Sequence, residues 1–201
     1  MKKILFIDGC IRGEQSRTKI IADAFFAELS CKCKFDLQTV VLDKTDILPL
    51  DRKEYERREN LLAQNRLDDP TFDLAKQFAA ADIIVVAAPF WDMGIPAKLK
   101  TYFEHVSVSG FTFKCTDKGC KGLCSAKKMA YITTRGMQIE DGSVMEQASP
   151  YLFALTKFFG IGGFDTVSAY GLDVDVNNVN GLVAEAVQKA KVLADNIADC
   201  L

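Results

Sequence analysis

The sharpest constraint in this sequence is Ile83-Ile84-Val85-Val86-Ala87-Ala88, an unbroken apolar run closed by Pro89. Such a run, β-branched in its first half, suits a strand covered on both faces, as in a parallel sheet. Proline ends it because it has no N–H to give to a ladder. Gly94 and Pro96 shape a turn, and Leu99, Tyr102, Phe103 and Val106 then recur at helical spacing, giving one apolar face. Between strand and helix, Pro89-Phe90-Trp91-Asp92-Met93-Gly94 places two aromatics and a methionine at the carboxyl end of a central strand. Open α/β sheets bind ligands at that end, so the loop is a candidate wall for a flat ligand. The plainer alternative is a hydrophobic cover over the top of the sheet.

The rest of the chain supplies the sheet around this strand. Lys3 to Asp8 reads as a first strand, followed by the polar loop Gly9 to Gln15 and a helix from Ser16. Ile20, Ile21, Ala24, Phe25 and Leu29 are expected on that helix's buried face. Phe35 to Leu42 alternates apolar and polar residues, the pattern of a strand near the sheet edge. Asp43 to Pro70 is a charged excursion with a helix or two, and Phe72 to Ala81 is a helix leading into the central strand. Past the central helix, Gly110 to Lys128 holds a hairpin or hooked loop with turns at Asp117-Lys118-Gly119 and Lys121-Gly122. Lys128 to Thr134 is a fourth strand, Gln147 to Phe159 a helix stopped by glycines, Phe164 to Tyr170 a fifth strand, and Val179 to Leu201 a terminal amphipathic helix. This alternation predicts one α/β domain over residues 1–201: a doubly wound, parallel, five-stranded sheet of order 2-1-3-4-5 with helices on both faces.

In that order the loops after strands one, three and four share one edge. The first runs into a helix start, where free N–H groups and the helix dipole favour an anion. Ser16 and Thr18 add hydroxyl donors there and Arg12 and Arg17 add charge, with Ser16 as a simple N-cap the plainer reading. The second is the aromatic loop Pro89, Phe90, Trp91, Asp92, Met93. The third is Thr134, Arg135, Gly136 and Met137, where Gly136 permits close backbone approach. Phosphate chemistry in one loop and a flat wall in the others suits FMN.

The totals exclude other classes. Twenty-five basic and 27 acidic residues leave a net charge of -2, which supplies no field for nucleic acid or an anionic membrane. No apolar run approaches the roughly 20 residues of a spanning helix. Asp8 breaks the N-terminal apolar stretch below the roughly 7–15 residues a secretory segment needs, so a cytoplasmic location is expected. Seven scattered cysteines then read as free thiols rather than disulfides. Cys115, Cys120 and Cys124 form C-x4-C-x3-C, but three cysteines without a neighbouring histidine fall short of an iron–sulfur or zinc set, and no metal is expected.

Taken together, S-x-T at Ser16 and Thr18, Leu48-Pro49-Leu50-Asp51, APFWDMGIPAKLKTYFEHV, GFTFK, SAKK, TTRG and YLFALTKFFGI resemble the flavodoxin-like FMN-dependent NAD(P)H quinone and azo reductases over nearly the whole chain. The resemblance implies that Ser16, Arg17 and Thr18 hold the FMN phosphate. It implies that Phe90, Trp91, Asp92 and Met93 line the isoalloxazine and that Thr134 to Met137 hold its pyrimidine edge. It further implies a homodimer, NADH or NADPH as donor, and ping-pong reduction of quinones, azo compounds or nitroaromatics. Cys115 and Phe158 match positions near the second ligand; for Phe158 a core role on an amphipathic helix is the alternative. The chain departs from the family at Cys10 (often Ser), Asp92 (usually Asn), Cys115 (commonly Tyr), Met137 (Gly) and Ile139 (often His). A flavodoxin-type electron carrier, reduced only by a partner enzyme, and a flavin-free interaction module are competing readings on the same fold.

Overall fold

The computed structural model describes all 201 residues. β3 (Ile83–Ala87) lies at the centre of the sheet, every residue buried. Its side chains alternate between two cores. Ile84 and Val86 face one that includes Phe78, Leu99, Tyr102, Phe103 and Phe159. Ile83, Val85 and Ala87 face another with Ile21, Phe25, Leu193 and Ile197. A strand needing apolar side chains on both faces explains the run without alternation.

Around it the parallel sheet has the order β2-β1-β3-β6-β7, with β1 (Lys2–Asp8), β2 (Phe35–Val41), β6 (Lys128–Thr134) and β7 (Phe164–Ala169). Leaving out the separate hairpin β4 (Phe113–Thr116) and β5 (Gly119–Gly122), this is the expected 2-1-3-4-5 order. The edge strand β2 is half-buried, as its alternation predicts. α1 (Arg17–Lys32) and α6 (Val179–Ala198) pack together on one face. α3 (Asp73–Ala80), α4 (Ala97–Val106) and α5 (Ala148–Phe159) cover the other. The charged excursion contains one helix, α2 (Arg52–Ala63), N-capped by the Asp51 side chain. Ile20, expected inside, is exposed; the buried face of α1 is set by Thr18, Ile21, Ala22, Phe25 and Leu29. No helix is long and apolar enough to cross a membrane.

Contrary to the expectation of free thiols throughout, two of the seven cysteines are bonded. Cys115 and Cys120 are joined as a disulfide. The turn at Asp117-Lys118 folds β4 back onto β5 in a register that sets residue 115 directly opposite 120. Spacing in the sequence did not reveal this facing pair because it depends on where the turn falls. The other five cysteines are free.

Candidate functional site

Switch-point topology brings the ends of β1, β3, β6 and β7 to one cleft of about 430 Å³. That lies within the roughly 300–1,000 Å³ of small-molecule sites. Cys10, Ile11, Arg12, Ser16, Arg17 and Thr18 line one end, and Pro89, Phe90, Trp91 and Asp92 form a wall. Thr134, Gly136, Met137, Leu172 and Asp173 complete it.

The first end is built by the start of α1. Ser16 is the N-cap, its hydroxyl accepting the Lys19 N–H at 3.3 Å. The Arg17 and Thr18 N–H groups belong to the first turn, which has no acceptor within the helix. Buried Thr18 reaches across to Thr134, Oγ1 to Oγ1 at 2.7 Å, tying α1 to the end of β6 beneath the cleft. Gly9 lets this loop press on β3: a Cβ there would lie 3.0 Å from the Ala88 Cβ. Cys10 is buried, and desolvation, helped by the neighbouring Asp8 charge, pushes its thiol up to about 12. It is therefore an uncharged, weak donor at neutral pH.

The wall is a tight two-residue turn. Trp91 N–H donates to Gly94 O at 3.1 Å and Gly94 N–H to Trp91 O at 2.8 Å. Asp92 (φ 48°) and Met93 (φ 63°) occupy the left-handed region between them. This conformation suits Asn or Asp far better than Met, so the turn carries backbone strain at Met93. The N–H groups of Asp92, Gly136 and Met137, all cleft residues, are not used by the chain's own backbone. A Cβ at Gly136 would meet the Asp173 carboxylate, the exposed end of a side chain that can swing aside.

Several expected site residues stand elsewhere. The Met93 side chain packs against the α4–α5 core instead of lining the cleft. The Arg135 side chain is fully buried behind the cleft (0% exposed), because β6 turns it inward. It donates to Ile139 O at 2.9 Å and Asp141 Oδ1 at 2.6 Å, approaches Glu146 Oε1 at 3.9 Å, and lies 5.5 Å from the Phe90 ring centroid. Glu146 in turn accepts the Ala148 and Ser149 N–H groups, capping α5. Arg135 thus ties the aromatic wall, the third loop and the start of α5 together from behind. Phe158 packs against Phe113 of the hairpin with the rings tilted by 42° and 4.6 Å between centroids, and neither Phe158 nor Cys115 lines the cleft. Conversely, Leu172 and Asp173 line it without having been foreseen. Their signal was available: in a 2-1-3-4-5 sheet the loop after the fifth strand lies beside the loop after the fourth.

This geometry, an anion-binding helix start facing an aromatic wall at a switch point, is that of a mononucleotide-binding α/β protein. A family model for the flavodoxin-like fold matches residues 2–193. An FMN-dependent NADH:quinone oxidoreductase from Clostridium beijerinckii is 38% identical over 198 residues, spanning 98% of this chain and 100% of that protein. A second such enzyme, from Clostridium acetobutylicum, is 35% identical over 195 residues, spanning 95% and 97%. The fold matches the solved azoreductase from Bacillus anthracis str. Sterne with a TM-score of 0.86 at 24% identity, covering 98% of this chain and 100% of that one. It also matches an FMN-dependent NADH-azoreductase from Bacillus anthracis str. Ames Ancestor in complex with FMN, with a TM-score of 0.81 at 21% identity, covering 96% and 100%. The chain belongs to the flavodoxin-like family that includes these FMN-dependent NADH:quinone oxidoreductases.

Proposed function

We propose that the chain is an FMN-dependent NADH:quinone oxidoreductase that also accepts azo compounds and nitroaromatics. The observation that carries this reading is the joining, in one cleft, of a helix start bearing Ser16, Arg17 and Thr18 to the Phe90–Trp91 wall and the unused N–H groups of Asp92, Gly136 and Met137. The residues present fit FMN. The helix start and Arg17 would hold the phosphate, and Phe90 and Trp91 would flank the ring. The unused N–H groups would stabilise negative charge on it. FMN, when bound, supplies the two-electron redox chemistry. The protein orients donor and acceptor over one open mouth, which they occupy in turn, giving ping-pong kinetics. NADH is the donor named for the relatives; NADPH is the comparison to run.

Fluorescence quenching with FMN and riboflavin tests the cleft. Loss of the phosphate should weaken binding roughly 100-fold, about the worth of one or two charge-assisted hydrogen bonds. Equal affinity for both would contradict the assignment of the phosphate end.

Asp173 modifies this site. Its carboxylate stands 3.5 Å from the Arg17 guanidinium, at the end assigned to phosphate. Asp173→Asn should therefore tighten FMN binding several-fold at low salt, and the gain should shrink as ionic strength rises. Weaker binding by this nearly isosteric variant would place Asp173 among the ligand's attractive contacts instead.

We further propose a cytoplasmic homodimer. Trp91 and Met137 on the rim, Val144 and Met145 in the third loop and Phe153 on α5 are large apolar side chains left exposed. Phe158 lies outside the cleft of its own chain, so in this reading it reaches a substrate across the dimer contact. Light scattering should give twice the 22.2 kDa chain mass; a monomer at micromolar concentration would count against the dimer.

A further inference from the structure

The hairpin β4–β5 stands apart from the cleft. Its tip carries the Cys115–Cys120 disulfide, and both residues are exposed. Its base is anchored without that bond. Gly122 lies against the backbone of Phe159 and Gly160. Leu123 N–H donates to Thr112 O at 2.9 Å and Cys124 N–H to Phe159 O at 3.1 Å. The Phe113 and Phe158 rings pack against each other. Opening the bond therefore leaves the two sulfurs as facing neighbours on an anchored hairpin, ready to close again.

The other five cysteines, Cys10, Cys31, Cys33, Cys124 and Cys200, are not bonded to one another, and of these Cys31 alone is exposed. Cys124, only a few residues further on, is half-buried with its thiol directed at Thr112 O (3.7 Å), and burial pushes it up to about 12. Cys10 is buried in the cleft and inert for the same reason. Cys31 and Cys33 turn their thiols to carbonyls of α1, at Ala27 and Leu29. The chain thus holds one pair that is both preorganised and reachable by solvent thiols.

We propose that Cys115 and Cys120 form a reversible dithiol–disulfide couple that exchanges with small monothiols of the glutathione type. In the reducing direction a monothiol thiolate attacks one sulfur, giving a mixed disulfide and freeing the other cysteine. A second monothiol thiolate then attacks the sulfur of the bound first one, and the protein cysteine leaves as the second free thiol. The Cys115–Cys120 bond takes up two electrons and two protons, and the two monothiols leave joined as their own disulfide. Oxidation runs the same exchange backwards with that disulfide as oxidant. In a reducing compartment a disulfide of this kind is transient, which reconciles it with a cytoplasmic location.

The test uses the full-length protein equilibrated without oxygen across a graded series of reduced to oxidised glutathione. Native labelling with N-ethylmaleimide and peptide mass spectrometry follow. Cys115 and Cys120 should gain and lose label together across the series, while Cys10 and Cys124 stay unlabelled. Amides of residues 116–120 should exchange hydrogen faster in the reduced form, and those of 122–124 should keep their protection. The Cys120→Ser variant should leave Cys115 labelled or glutathione-capped at every ratio without changing the melting temperature. Three results would each overturn the proposal: both residues fully labelled at the most oxidising ratio, a bond still closed at the most reducing one, or a crosslink to Cys124 or to a second chain.

Discussion

Replacing Arg135 by alanine is expected to destabilise the protein by about 3–5 kcal/mol, because it removes one partner from a buried, charged network. For a chain of this size that lowers the melting temperature on the order of 10 °C. The guanidinium is fully buried and Glu146 nearly so (1% exposed), so Glu146 would keep its buried charge without the cation. Ile139 O would lose its donor, and Phe90 would lose the cation set against its ring. FMN binding should weaken at least tenfold, since the wall and the third loop are positioned by that side chain and not by the ligand. Arg135→Lys should recover part of the stability but not the fork joining Ile139 to Asp141, because an ammonium has no planar pair of donors. The positioning role is read from the split between the variants. Arg135→Lys should retain the fold and still show a raised Kd for FMN. An alanine variant that melts and binds FMN like the parent would remove Arg135 from the account.

Gly122→Ala is the second substitution with a large expected effect. A Cβ there would be driven into the carbonyl carbon of Phe159 and the N of Gly160, backbone atoms at the end of α5 that cannot rotate away. Gly160 itself holds a left-handed φ of 76° as the C-cap of that helix, so the glycine pair fits two backbones together. Overpacking at such a contact costs about 1–3 kcal/mol, and this site belongs at the upper end. The denaturant midpoint should fall, while hydrogen exchange should rise mainly in the hairpin and the last turn of α5. An unchanged midpoint, or loosening spread evenly over the sheet, would show that the hairpin is not docked through this contact.

Much of this architecture is legible from short-range physics. The run at Ile83–Ala88 can be stable only under two apolar layers, and the alternation of Phe35–Leu42 marks an edge, so the strand order follows from a small set of allowed topologies. The start of α1 is equally local: Ser16 caps it because its hydroxyl reaches the backbone three residues on. What sequence did not reveal depends on partners distant in the chain. Arg135 sits between cleft residues Thr134 and Gly136, yet β6 directs its side chain inward, toward Asp141 and Glu146. Asp173 comes to the cleft only because β7 runs beside β6. The Cys115–Cys120 pair depends on a turn position that composition does not fix. Residues 16–18 and 89–92 meet at the cleft because loops at a switch point are constrained by topology, whereas Met93, expected beside them, has its side chain packed against the core.

The central claim is that this cleft binds FMN and passes electrons from a nicotinamide to a quinone. It is tested most directly by the visible spectrum of the FMN-loaded protein under anaerobic titration. The account predicts that NADH alone bleaches the flavin band within the mixing time of a manual experiment, and that a stoichiometric quinone restores it. A flavin that binds but stays oxidised with both NADH and NADPH would contradict the enzyme and identify an electron carrier. A protein that does not retain FMN would contradict the site itself.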